Sequence, residues 1–221
     1  MTGPAPTAPP PLPERSLRPT KQVIIRQGRL RDVRRLVRFY MGLSPAARYR
    51  FHPFPFNPFA AASLFLITLG AQSVFGRVAP RSARFLVGLM VAQLEGDPRI
   101  AGYGTMRGVP RKGLDPRVRF GFVVGDDFRG YGIGPSILRG LAQVAVDRGM
   151  RWEIGAVFRS DTLAIKALTK FGVKFSETDY RDPRAPHEPN YFTEGDLFEI
   201  LRLIPENRPP ERSVGAPATA G

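Results

Sequence analysis

From Val123 to Gly134 the chain reads Val-Val-Gly-Asp-Asp-Phe-Arg-Gly-Tyr-Gly-Ile-Gly, and Pro135-Ser136-Ile137-Leu138 carries it into an amphipathic stretch. An apolar strand ending near Val124 must therefore become a helix within a few residues, through a turn holding three alternating glycines. Glycine reaches the backbone conformations that aim successive N–H groups at one point in space. The first turn of the following helix adds partial positive charge at the same place. Such a turn suits an anion, a phosphate above all, and Arg129 offers a charge-assisted contact beside it. A ligand-free strand-to-helix turn has the same local sequence, so the surrounding elements must decide.

Lys21–Arg26 alternates as a first strand. Asp32 stands where it can cap a helix in which Val33, Leu36, Val37, Tyr40 and Met41 recur at helical spacing, with Arg31, Arg34, Arg35 and Arg38 opposite. Ser44-Pro45 predicts a second short helix through Tyr49, with a serine cap and proline at its first position. The run His52-Pro-Phe-Pro-Phe-Asn-Pro-Phe59 holds three prolines and cannot be regular structure. Its phenylalanines suit a substrate-pocket wall and an anchored loop equally well.

Phe59–Phe75 is the most apolar stretch, yet it carries Thr, Gln and two Ser and is too short to span a bilayer, so it reads as a buried helix, with a lid or partner-docking surface as the alternative. Arg84–Leu94, Arg99–Met106 and Arg117–Val124 form a three-stranded meander, turning first at Gly96-Asp97-Pro98 and then through a basic loop over 108–115. Beyond the glycine turn, Ile137, Leu138, Leu141, Val144 and Ala145 make a helical stripe. Arg151–Phe158 is a strand, Asp161 can cap a helix over Thr162–Lys170, and Gly172–Phe175 begins another strand. Tyr191-Phe192 and Leu197–Ile204 supply the last strand. The expectation is an α/β domain over residues 21–204, with a mixed, mostly antiparallel sheet flanked by helices. Its anion-binding turn sits at the carboxyl end of a middle strand, where open sheets bind ligands.

Composition narrows the chemistry. Cysteine is absent and His52 and His187 are the only histidines, which leaves no thiolate or histidine metal site. The formal charge is +14, from 33 Lys plus Arg against 19 Asp plus Glu. That excess favours anionic cofactors and polyanions in general. No zinc finger, aromatic-basic stripe or basic coiled coil accompanies it, so nucleic acid is not the expected primary ligand. Residues 1–20 contain seven prolines and read as a disordered leader, and 205–221 read as a flexible tail. The leader lacks the basic start and apolar core of a signal peptide, no transmembrane insertion is expected, and the expected location is the cytoplasm.

The element order and the glycine turn together resemble the GNAT superfamily of acetyl-coenzyme A-dependent N-acyltransferases. That family carries Arg or Gln, two residues, Gly, one residue, then Gly or Ala, and here Arg129, Gly132 and Gly134 fill those places, with Gly130, Tyr131 and Ile133 between them. The resemblance covers about residues 22–204. It implies that the amides of Arg129–Gly134 grip the coenzyme pyrophosphate and that the edge Phe122, Val123 and Val124 pairs with the pantetheine arm. A second family pattern falls on Asp161, Ala164, Leu168, Gly172 and Val173, which implies that Asp161 and Ala164 flank the coenzyme. Two positions depart from the family. Leu168 replaces the tyrosine that often protonates the departing thiolate, and Arg119 stands where many members hold a glutamate base. Leucine cannot donate a proton, and arginine does not act as a base near neutral pH.

Glu95 and Glu153 remain as candidate bases, each with an alternative as a solvent-facing carboxylate paired to arginine. Tyr103 is a candidate to orient the acceptor or relay a proton, and His52 is a weaker one. A Rossmann dinucleotide site fits less well, because the preceding strand belongs to a meander and no suitable acidic residue ends the next strand. The expected function is transfer of acetyl, or another short acyl group, from acyl-CoA to a primary amine of a small molecule or protein. Arg107, Arg111, Lys112 and the arginine face of the first helix would suit an acidic acceptor if they line the cleft. A non-catalytic acyl-CoA-binding regulator or scaffold is the alternative, and a homodimer is compatible with the sequence.

Overall fold

The structure, a computed structural model, describes residues 21–51, 57–78, 87–109, 116–182 and 185–206. The leader, residues 207–221 of the tail, His52 with most of its proline-phenylalanine run, and Arg111 and Lys112 lie outside the described residues. In chain order the elements are β1 (Val23–Gln27), α1 (Val33–Met41), α2 (Pro45–Arg50), α3 (Pro58–Val78), β2 (Val87–Leu94), β3 (Gly102–Val109) and β4 (Arg117–Val124). They continue with α4 (Ile133–Asp147), β5 (Trp152–Phe158), α5 (Thr162–Lys170), β6 (Lys174–Glu177), β7 (Asn190–Asp196) and α6 (Leu197–Leu203). One seven-stranded sheet runs β1-β2-β3-β4-β5-β7-β6. Every neighbouring pair is antiparallel except β4 and β5, which are joined by the α4 crossover.

Each face of the sheet closes its own core, which is why β2 is apolar at almost every position. Leu89 and Val91 face α1 and α3 with Leu36, Tyr40, Phe65 and Tyr103. Met90 and Ala92 face α4 and α6 with Ile137, Leu141, Leu197 and Ile200. Helix α4 lies close against β3 because Gly104 has no side chain: a Cβ there would stand 2.5 Å from Ile137. Gln72 of α3 ties β2 to the residue that follows β1 by accepting from Leu89 N–H and donating to Gly28 O.

Local signals act largely as their chemistry predicts. Ser44 Oγ accepts from Ala47 N–H at the start of α2, and Asp161 Oδ1 accepts from Ala164 N–H at the start of α5. Asp32 differs. Its carboxylate makes no cap bond to α1 and instead accepts two hydrogen bonds from Arg26, at 2.7 and 2.9 Å, and one from Arg29 N–H. Paired in this way, Arg26 holds the Asp32 carboxyl below its ordinary range, with burial opposing and the Arg29 N–H assisting.

Two expectations are corrected. Leu197–Leu203 is a helix rather than part of the last strand. Asp196 caps it by accepting from Phe198 N–H, and Leu197, Ile200 and Ile204 are buried while Phe198 is exposed, a helical rather than an alternating pattern. Arg139 of α4 then donates to the carbonyls of Leu201 and Ile204, which the end of α6 leaves without helical partners. Helix α3 exists but is not buried all round. Ala61, Phe65 and Leu69 face the core, whereas Phe59, Leu66, Ile67 and Val74 face outward. No helix among the described residues is long and apolar enough to cross a membrane.

Candidate active site

The decisive geometry is where β4 and β5 part. Their parallel pairing is limited to Arg117 with Trp152 and Val118 with Glu153, after which the ladder stops although both strands continue. Gly125 N–H donates to Ala101 O on the β3 side. Amide direction alternates along a strand, so the N–H groups of Phe120, Phe122 and Val124 point the other way, into the gap. Phe120 N–H is taken by the Glu153 carboxylate. Those of Phe122 and Val124 lie beyond the paired segment. Val123 is therefore not an edge donor: its amide faces β3, and its side chain is buried in the core under α1 and α3.

Glu153 is enclosed exactly where the strands separate, which changes its chemistry. Burial pushes its carboxyl up to about 8, against the opposing influence of the Arg119 cation and the Phe120 N–H, while Glu194 reinforces the rise. Arg117 holds Glu194 at 2.7 Å across the same junction. The Glu153 carboxylate lies behind Gly155: a Cβ on that glycine would stand 2.9 Å from Glu153 Oε1 and 2.8 Å from Thr193 Oγ1. Gly155 also lines a cavity of about 640 Å³. Glu153 itself does not line that cavity, and Gly155 is the residue in contact with both. The cavity lies between α3 and the exposed stretch of β5, with Arg107, Arg119 and Gly121 on one side and Phe158, Asp161 and Tyr180 on the other.

At the carboxyl end of β4 the turn has the predicted form. Gly130 and Gly132 adopt φ of 87° and 74°, with open space where a Cβ would stand. Side chains rarely adopt that conformation, so these two glycines set the path of the loop. Gly134 has ordinary backbone, and a Cβ there would make only normal contacts with Phe122 and Val124, at 3.6 and 3.8 Å. Ile133 is buried and anchors the start of α4, while Tyr131 packs partly against the same core. Arg129 is held by Asp126, whose carboxylate also accepts from Ser44 N–H at the α1–α2 junction. Partial burial pushes Asp126 up, but the Ser44 N–H and the Arg129 cation outweigh it and leave the carboxyl below its ordinary range.

The remaining candidates separate clearly. Tyr103 is fully buried, and the rings of Phe39, Phe51 and Phe65 stand edge-on to it at 5.7, 5.2 and 5.4 Å. Burial raises its phenol well above 10. It belongs to the core and does not line the cavity. Glu95 is exposed in the β2–β3 turn, two strands from the gap, and does not line that cavity either. Asp161 lines the large cavity while capping α5, and Ala164 supplies the capped amide. Leu168 packs against the α4-side core. On the first helix, Arg35 and Arg38 line a second cavity of about 410 Å³ beside Arg99 and Phe128, which shares no lining residue with the first. No cluster of metal-ligating side chains occurs among the described residues.

Solved structures of acetyltransferases share this fold. The GNAT domain of PAT from S. lividans superposes with a TM-score of 0.57 at 20% identity, covering 78% of this chain and 89% of that one. A ribosomal-protein-S5-alanine acetyltransferase from Vibrio fischeri gives 0.63 at 13% identity, over 80% and 94% of the two chains. The fold is that of the GNAT superfamily. Mycobacterium smegmatis RimJ, solved in complex with CoA-disulfide, matches this GNAT fold with a TM-score of 0.60 at 18% identity, over 82% and 85%. No family model and no curated protein matches the chain.

Proposed function

We propose that this protein is an acyl-CoA-dependent N-acyltransferase, with acetyl-CoA or another short acyl-CoA as donor and a primary amine as acceptor. The observation that carries the reading is the unpaired edge of β4, with Phe122 and Val124 amides facing the gap and the Gly130–Gly134 turn at its end. The residues present fit such a donor. The turn and the start of α4 offer amides and positive dipole to a pyrophosphate. The strand edge offers the hydrogen bonds that an extended, amide-bearing arm needs. When bound, the coenzyme supplies a thioester carbonyl open to attack.

Chemistry on this chain then falls to Glu153. An amine nitrogen forms the amide bond as the carbon–sulfur bond breaks, and the nitrogen's proton passes to Glu153 past Gly155 through a bridging water. A carboxyl near 8 is matched to that task close to neutral pH. The edge amides can steady the oxygen as it gains charge. Leu168 offers no acid, and a coenzyme thiol resembling free cysteine, with a pKa of about 8.5, can depart as thiolate unaided. Glu95 and Tyr103 have no part in this scheme. The apolar Leu168 also fits a second reading, a coenzyme binder without turnover.

One experiment separates the two. Free thiol release from acetyl-CoA is followed with a panel of primary amines, alongside calorimetric titration of the coenzyme. Amine-dependent thiol release that falls at least a hundredfold in E153Q supports the enzyme. Coenzyme binding without release on any amine supports the binder, and no coenzyme binding overturns both.

A further inference from the structure

Arg107 and Arg119 are direct cross-strand partners on β3 and β4. Two like charges at such positions sit with Cβ atoms roughly 5 Å apart and repel each other, which destabilises the bare pair. Both line the 640 Å³ cavity, and both are exposed. Neither has a hydrogen-bonded or ion-paired acid among the described residues, although Arg26, Arg99, Arg117, Arg139, Arg151 and Arg159 each do. The two carboxylates in the cavity lining are otherwise placed. Asp161 is committed to the α5 cap and lies 3.9 Å from Arg50, and Asp182 is buried. Asp161 follows the far end of β5, whereas Arg119 stands near the β4–β5 junction.

We propose that Arg107 and Arg119 together form a clamp for a carboxylate carried by the amine acceptor, so that the acceptor is an acid-bearing amine. This rests on the acyltransferase reading above and names the substrate class of that site. Two guanidinium groups side by side offer planar donors suited to a carboxylate, and a bound anion relieves the repulsion between them. The acid-bearing amine can come as a free amino acid or as the acidic end of a peptide, since both present the same group.

The test has a binding arm and a turnover arm. In the first, N-acetyl amino acids and their primary amides are titrated calorimetrically into the full chain, as product analogues that need no turnover. The acid is expected to bind at least tenfold more tightly than the amide, and this ratio is expected to fall towards one in R107Q and in R119Q. Equal binding of acid and amide to the wild type, or an unchanged ratio in both variants, overturns the clamp. In the second arm, amino acids are compared with their amides, and Glu-rich peptides with Gln-rich ones, by thiol release. A preference of at least tenfold in kcat/KM for the acidic member supports the clamp, and the stronger pair identifies its source. If the acids bind selectively but no amine is acylated, the clamp stands and the acyltransferase reading fails. If amines are acylated without regard to charge, the reading stands and the clamp fails.

Discussion

Replacing Glu153 by glutamine tests the buried carboxyl without disturbing its packing, because the amide oxygen can still accept from Phe120 N–H. In the folded chain the carboxyl titrates near 8, against an ordinary value of 4.5. Between those values the unfolded chain has released this proton while the folded chain retains it. The folded state therefore binds more protons, and stability falls as pH rises through that window. At about 1.36 kcal/mol per unit the whole window amounts to roughly 5 kcal/mol, a ceiling that relaxation around Arg119 and Glu194 will reduce. E153Q carries no such cost. Urea unfolding at pH 5, 6.5 and 8 is expected to show the variant gaining on the wild type by about 2–4 kcal/mol from the lowest to the highest pH. A difference constant to within about 0.5 kcal/mol, a typical spread for benign surface changes, would refute the buried-carboxyl argument. The same titration predicts that wild-type kcat/KM rises with pH through an apparent pKa near 8, and that the inflection disappears in E153Q.

At Gly134 a methyl group meets only ordinary contacts, so G134A is expected to keep its Tm yet lose at least fivefold in coenzyme affinity by calorimetry; unchanged affinity would mean that the arm does not pass between Gly134 and β4. D32N leaves Arg26 without its buried partner and is expected to cost about 2–3 kcal/mol in urea unfolding at pH 7. Because the Asp32 carboxyl is held low by Arg26, that advantage is present above the ordinary carboxylate range and fades as pH drops below it, so equal costs at pH 7 and pH 2.5 would contradict the pairing. L168Y, if folded, is expected to change turnover less than tenfold, and a hundredfold gain would show that the site lacks an acid it needs.

Elements with a local chemical signature were legible in the sequence. The β2–β4 meander, the glycine turn, and the Ser44 and Asp161 caps all depend on residues within a few positions of each other. The failures share a different cause. Leu197–Ile204 is apolar enough for either period, and the choice of helix is made by the Asp196 cap and by burial against α4. Tyr103 looked available in mid-strand, but the rings that enclose it come from positions 39, 51 and 65, a convergence created only by the fold. Glu95 and Glu153 are equivalent as letters, each a glutamate in or beside a strand. What distinguishes them is that β4 and β5 separate beside one of them. Arg119 was seen as a lost base, while its partnership with Arg107 needed the strand register.

The Ser44–Asp126–Arg129 chain links the α1–α2 junction to the glycine turn. Ser44 opens α2, and α2 is tied at its other end to the segment before β7 by the hydrogen bond from Tyr49 to Glu188. The short helix is thus a crossbar bolted to both banks of the gap. The two bolts are separate hydrogen bonds, Ser44 N–H on Asp126 and Tyr49 on Glu188, so a variant that removes either one frees a single end of the helix.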